Sequence, residues 1–280
     1  MKKYIIALYL VLLSICFSGE VLLKTTTILA DGSRRIDGLP NDGNISRTMD
    51  SVHTGSVLRY TFKYDDNSGT NYYDLSKLEN NGYSTVPSQQ PAHITTDGEF
   101  YDFDGIDSKI SIDENSSIDN YSKLSVSVWI YPYTSGEGGF GRIVNKQNSG
   151  GSGGYSLFII GNNAGYTNTL EWLVDYTTSD TTWVMPNESV SYSTWTHVVV
   201  THDSGNITNA PRFYLNGLEV SAIVRTAGVG SRISDASNPL VIGNKPDRTR
   251  TFDGGIDDVL LGNFILTPIM VTNLNLRGRQ

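Results

Sequence analysis

The sequence predicts an all-β protein, a two-sheet antiparallel jelly-roll sandwich preceded by a short N-terminal tract. Two observations carry this. Runs rich in Val, Ile, Thr, Tyr, Phe and Trp alternate with a period of two and recur at roughly eight- to fifteen-residue intervals between residues 56 and 266. The gaps between them hold Asn-Gly, Asp-Gly and Gly-Gly pairs, the residues that tight turns require, and almost no helical periodicity appears. The composition agrees: 28 Gly and 16 Tyr with only 18% charged residues suit many turns and half-buried strands.

Taken in order, Met1-Lys2-Lys3 is a short positive segment, and Tyr4 to Phe17 is uncharged and mostly apolar. That run matches the apolar part of a secretory signal and falls short of the ~20 residues that span a bilayer as a helix. Residues 1–18 therefore read as a signal peptide or membrane segment. Cys16, the only cysteine, lies inside it, so the remainder of the chain has no disulfide. Residues 19–55 show scattered Asp, Gly, Thr and Ser without a period and read as a linker.

From Ser56 the character changes. Val57, Arg59 and Thr61 alternate with Leu58, Tyr60 and Phe62 as in a strand. A long polar loop, residues 64–82, carries Asp65, Asp66, Asp74 and Asn80-Asn81-Gly82. Loops of this length in compact domains need a tether. Carboxylate and amide oxygens can supply one by coordinating calcium, although a solvated loop suits Asp65 and Asp66 better. Asp104-Gly105 makes a turn between two short strands in 100–112. In 123–132, Leu124, Val126, Val128 and Ile130 form one strand face and Ser127, Trp129 and Tyr131 the other.

A Gly- and Ser-rich tract, 133–154, encloses a short strand at 141–146, and further strands are expected at 155–160, 170–176 and 181–185. The clearest stretch is 194–217, TWTHVVVTHDSGNITNAPRFYLNG. It holds a strand, a polar turn and a second strand ending at Asn216-Gly217, a pair suited to a type I′ hairpin. The alternation resumes at Leu218, Val220, Ala222 and Val224, giving a three-stranded meander. Strands at 239–244 and within 251–266 follow, and Thr267 as N-cap with Pro268 at the first helical position opens a helix of one or two turns.

The net charge of -8 argues against a nucleic-acid or anionic-membrane partner, which needs clustered Lys and Arg. His53, His93, His197 and His202 are scattered, none at metal-ligand spacing, and His197 reads as a structural hydrogen-bonding residue. The Gly150–Gly154 tract lacks the Lys and the strand–helix setting of a phosphate loop. Glu99, Asp102 and Asp104 are the nearest approach to a paired-carboxylate site. Asp102 and Asp104 share a strand face that Glu99 does not, and the turn role of Asp104 competes. The expectation is a non-catalytic protein.

Five groups of residues in one order resemble the laminin G-like, or concanavalin A-like lectin/glucanase, jelly-roll superfamily: LRYTF with the 74–82 loop; FDGID; KLSVSVWIYP with GRIVNK and GYSLFI; TWTHVVVTHD with FYLNG; and PLVIGN with FDGGIDDVLL and the terminal helix. The resemblance implies a domain over 56–280 that binds glycans or surface proteins, with a structural calcium ion. Asp257 is then the first-choice calcium ligand, followed by Asp74 and Asp104. Tyr133, Tyr166 and Trp183 are the aromatics expected to be exposed for stacking on sugar rings. The function implied is a secreted or surface-displayed carbohydrate-binding and adhesion module, membrane-associated only through its N-terminal segment. The alternatives are a structural protein-interaction module of a cell-surface layer or virion, and a glycoside hydrolase of the glucanase type.

Overall fold

A computed structural model describes residues 25–28, 34–37, 55–62, 70–96 and 98–279 of the chain. It divides into two units, 1–48 and 49–280. In the first, strands β1 (Thr25–Ile28) and β2 (Arg34–Asp37) pair as an antiparallel hairpin from Thr25↔Asp37 to Ile28↔Arg34. The segment expected as a linker therefore contains paired strands. The expected signal segment and Asp65 and Asp66 lie outside the described residues.

In the second unit the strands are β3 (Ser56–Tyr60), β4 (Asn71–Tyr72), β5 (Gly82–Tyr83), β6 (Ala92–Ile94), β7 (Phe100–Asp104) and β8 (Ile110–Ile112). Then come β9 (Lys123–Pro132), β10 (Arg142–Asn145), β11 (Tyr155–Asn163), β12 (Tyr166–Val174), β13 (Thr181–Val184) and β14 (Thr196–Asp203). The last are β15 (Arg212–Leu215), β16 (Leu218–Val220), β17 (Ile223–Thr226), β18 (Leu240–Ile242) and β19 (Asp253–Gly262), before helix α1 (Pro268–Arg277). Among the described residues one sheet has nine strands in the order β17-β13-β12-β11-β10-β18-β8-β5-β4. The other has eight: β16-β15-β14-β9-β19-β7-β6, with β3 also on β19. This is a two-sheet antiparallel jelly-roll sandwich.

The period-two pattern sets the layers. Leu124, Val126, Val128 and Ile130 of β9 and Val198 and Val200 of β14 face inward onto Leu157, Ile159, Leu170 and Trp172 of the opposite sheet, all in one buried cluster. Trp172 stacks on Tyr155 at 5.3 Å, and its indole N–H donates to Nδ1 of His202 at 3.1 Å. That donor fixes the His202 tautomer, with Nε2 donating to the Asn209 carbonyl at 3.0 Å. Asn216 and Gly217 take φ of 49° and 80°, the left-handed pair that the β15–β16 hairpin needs.

The alternation from Leu218 to Val224 is not one strand. β16 pairs with β15 in the eight-stranded sheet, whereas β17 pairs with β13 in the nine-stranded one. The chain changes sheets at Ser221-Ala222, and apolar alternation alone does not say which neighbour a strand selects.

Two buried polar groups, Asp74 and Lys146, are satisfied by neighbouring residues. The 70–82 loop is held by the buried Asp74: one carboxylate oxygen accepts from the Arg59 and Ser76 amides, the other from the Ser76 hydroxyl and the Asn80 amide. Lys146 is fully buried, with its ammonium donating to Asp119 at 2.9 Å and to the carbonyls of Asn238 and Asp235 at 2.6 and 3.2 Å. All three of its donors are used. Replacing Trp172 by Ala removes the largest fully buried side chain. Urea denaturation is expected to register a loss of about 3–5 kcal/mol; a loss below about 1 kcal/mol contradicts its place in the core.

Candidate functional site

The outer face of the eight-stranded sheet carries a group of aromatic and charged side chains. Register builds it. Trp129 on β9 lies opposite His197 on β14 and Asp257 on β19, and Tyr131 lies opposite Gly255. Trp129 stacks on His197 at 5.1 Å, Tyr131 contacts Trp195 at 5.4 Å, and Tyr133 meets Tyr131 edge-on at 5.7 Å. Phe100 approaches Trp195 edge-on at 5.1 Å. A Cβ at Gly255 would sit 2.9 Å from the Phe100 ring and 3.0 Å from Trp195, so the missing side chain lets those rings meet across β19.

Helix α1 covers the other half of this face. Thr267 caps it by accepting from the Met270 amide, Pro268 occupies the first turn, and Leu266, Val271 and Leu274 pack on Val199, Tyr214 and Leu260. Beyond the helix, the Arg279 guanidinium lies 3.8 Å over the Trp195 ring. Trp129 and Tyr131 remain half-buried, and Tyr133 is exposed.

β19 breaks its alternation at Asp257 and Asp258. Asp258 has φ 45°, and the register shifts between Asp257 and Leu260, so Ile256 and Val259 both enter the core. Asp257 is fully buried. Its Oδ1 accepts from the Asp258 amide at 2.7 Å, Oδ2 has no hydrogen-bond partner, and burial, then the charge of Asp258, pushes the carboxyl up to about 8. His197 is buried with Nε2 2.8 Å from the Ser127 hydroxyl, and burial depresses it to about 4, so the ring is neutral.

The expected site residues do not gather here. Asp104 caps its own turn, one oxygen accepting from the amides of Ile106, Asp107 and Ser108 at 2.9, 3.1 and 3.1 Å. Burial alone would raise its pKa, but these donors outweigh it and hold the carboxyl below its ordinary value. Asp104 lies opposite Asp253, four residues along β19 from Asp257, which separates their backbones by roughly 13 Å. Asp74 has both oxygens occupied, as above. Among the described residues no group of three or more His, Cys, Asp or Glu side chains is arranged to hold a metal. The three aspartates do not fit one calcium site.

Trp183, expected at the surface, is only 3% exposed and meets His202 edge-on at 5.0 Å. β13 is covered at its edge by β17, the strand that the sequence placed elsewhere. Tyr133 is 42% exposed, and burial and the neighbouring Asp102 push its phenol up to about 12. Tyr166 is half-buried on the other sheet with the Arg225 guanidinium 5.2 Å over its ring. These three aromatics therefore form no common platform. Glu99 lies 3.8 Å from His93, and burial raises the pKa of Asp102.

Two further carboxyls escaped the sequence reading. Glu171, on the outer face of the nine-stranded sheet, is buried and ion-paired with Arg225. Asp175 follows four residues on, with both oxygens 2.9 Å from the Gln147 amide nitrogen. Their even spacing within EWLVD was the available signal. Four residues of strand is roughly 13 Å of backbone, beyond the ~5–9.5 Å of hydrolytic carboxyl pairs.

A family model of the concanavalin A-like lectin/glucanases superfamily matches residues 104–271, and the chain belongs to that superfamily. Adhesion G-protein coupled receptor V1 of Danio rerio is 27% identical over 158 residues, which is 55% of this chain and 2% of the receptor. The binding domain of Paraclostridial Mosquitocidal Protein 1 superposes with a TM-score of 0.59 at 16% identity, over 80% of this chain and 52% of that chain. The ligand-binding domain of botulinum neurotoxin serotype D, solved in complex with N-acetylneuraminic acid, gives 0.58 at 16% identity over 82% and 53%. The chain thus spans about half of each toxin domain and a small fraction of the receptor.

The Asp175 environment makes stability depend on pH. Burial raises its carboxyl to about 7, against ~3.9 in an unfolded chain. The unfolded state therefore ionises first, and stability falls as pH rises from about 4 to about 7. Asp175→Asn removes this loss, so its gain in denaturant midpoint over the unsubstituted protein should be larger at pH 8 than at pH 4.5. A gain independent of pH contradicts the assignment.

Proposed function

We propose that the protein is a non-catalytic, extracellular binding and adhesion module that takes carbohydrate on the outer face of its eight-stranded sheet. One observation carries this reading: Trp129 and Tyr131, at alternate positions of β9, and Tyr133 just past its end present half-exposed to exposed rings on one face. Flat aromatic surfaces beside polar groups are suited to the C–H faces of sugars, and a strand holds them at little entropic cost. Likeness to toxin binding domains, one of them solved with N-acetylneuraminic acid, and to an adhesion receptor supports a binding role.

The absence of catalysis is inferred from the carboxyls. Asp104 caps a turn, Glu171 is neutralised by Arg225, and Asp175 accepts from Gln147. The extracellular placement is inferred from the N-terminal apolar run. Among the described residues no helix is long and apolar enough to cross a membrane. Calcium plays no part in this reading.

A protein-interaction role is the second reading, favoured by Leu218, Ile223 and Val224 on the edge strands β16 and β17, which are 74%, 59% and 54% exposed. A glycan array separates the two. The carbohydrate reading expects retention of at least one glycan class by the unsubstituted protein and a loss of tenfold or more, about 1.4 kcal/mol, in Tyr131→Ala at unchanged melting temperature. Retention of no glycan, or binding indifferent to Tyr131→Ala, removes the aromatic face from the function.

A further inference from the structure

Lys146 follows β10 directly and is fully buried, its ammonium held by the Asp119 carboxylate and by the carbonyls of Asn238 and Asp235. Lysine is seldom enclosed to this degree. Its carboxylate partner is nearly as enclosed, with 11% of the Asp119 side chain exposed. An ion pair in such a place adds little stability, because desolvating two charges offsets their attraction. The carbohydrate face makes no use of either residue.

Both groups are fixed from one side. Asp235, itself fully buried, accepts from the Lys146 ammonium through its backbone carbonyl at 3.2 Å and from the Asn120 amide through Oδ1 at 2.6 Å. Its own amide donates to Oδ1 of Asn120 at 3.2 Å. Arg232 ties the same two segments, donating to the Tyr121 carbonyl and to Oδ2 of Asp235. Residues 119–121 are thus clamped to residues 232–238, with the Lys146 nitrogen between them. That nitrogen lies 2.9 Å from Oδ1 of Asp119. Cγ stands one bond further on, close to the roughly 3–3.5 Å from which a held nucleophile reacts.

We propose that Lys146 and Asp119 condense into an intramolecular amide that cross-links the domain. The step needs no cofactor and no change of oxidation state. One ammonium proton passes to the Asp119 carboxylate along the hydrogen bond, and the neutral amine attacks Cγ. The C–N bond forms, a C–O bond breaks, and the oxygen leaves as water with a second proton from the nitrogen. Two buried charges become one neutral amide, which the dry interior favours. The link joins the chain entering β9, in the eight-stranded sheet, to the end of β10, in the nine-stranded sheet. It closes a loop over residues 119–146 and supplies a covalent tie to a chain with no cysteine after Cys16.

Peptide mapping tests this. The full chain is denatured in guanidinium, so that no ion pair survives, and digested with trypsin, which cuts after lysine only where the amine is free. The expected product in most molecules is a branched peptide, 110–123 joined to 143–212 and uncut after Lys146. Its mass should be the sum of the two parts less one water, and fragmentation should place the bond between Lys146 and Asp119. Asp119→Ala, with its fold checked by circular dichroism, should release 110–123 and 143–146 as separate peptides. Separate peptides from most molecules of the unsubstituted protein overturn the proposal. So does a link that fragmentation places on Asp113 or Glu114, or one that persists in Asp119→Ala. Because fragmentation locates the bond in the unsubstituted chain, the test does not depend on the variant folding.

Discussion

The register of β19 against β9 is the constraint on which the rest of the structure depends. Both strands are ten residues long and pair along most of their length, while β19 gives its other edge first to β7 and then to β3. That arrangement decides which side chains enter the core and which stand outside. A slip of one residue would bury Trp129 and Tyr131 and expose Val128 and Ile130. The bulge at Asp257 and Asp258 is the local exception, and it turns both carboxyls to the same side as the aromatic row.

The two sheets use their outer faces differently. On the nine-stranded sheet, Phe158, Ile160 and Val184 are buried, Arg142 lies 3.7 Å over the Phe158 ring, and Glu171 is closed off by Arg225. On the eight-stranded sheet, α1 covers only part of the surface, leaving aromatic rings at the border of the helix. A short helix thus only partly covers a long sheet, a boundary set by Pro268 and by Leu274 on Leu260.

Much of this was legible in the sequence. The alternation of β9, the Asn216-Gly217 hairpin and the Thr267-Pro268 helix start each state a local rule that tertiary packing then respects. The sheet change after β16 was not legible, because apolar alternation is the same whichever sheet a strand joins. Trp183 was misplaced because it stands opposite Trp172 on the inner face of its sheet, where its ring meets His202 of the other sheet. Asp74 and Asp104 were recognisable as loop carboxylates, but their ligands are backbone amides, which every residue carries and no motif reveals. The aromatic pair Trp129 and Tyr131 was visible as the second face of a strand, while its partners Phe100 and Trp195 required the fold.

The four tryptophans report on the central claim directly, two on the outer face (Trp129 and Trp195) and two in the core (Trp172 and Trp183). Their indole N–H resonances, followed by NMR during titration with a saccharide that the protein retains, provide one probe for each position. The account predicts that the Trp129 resonance moves with ligand while those of Trp172 and Trp183 stay fixed. A Trp129 resonance that does not respond, or core resonances that move as far, would contradict it.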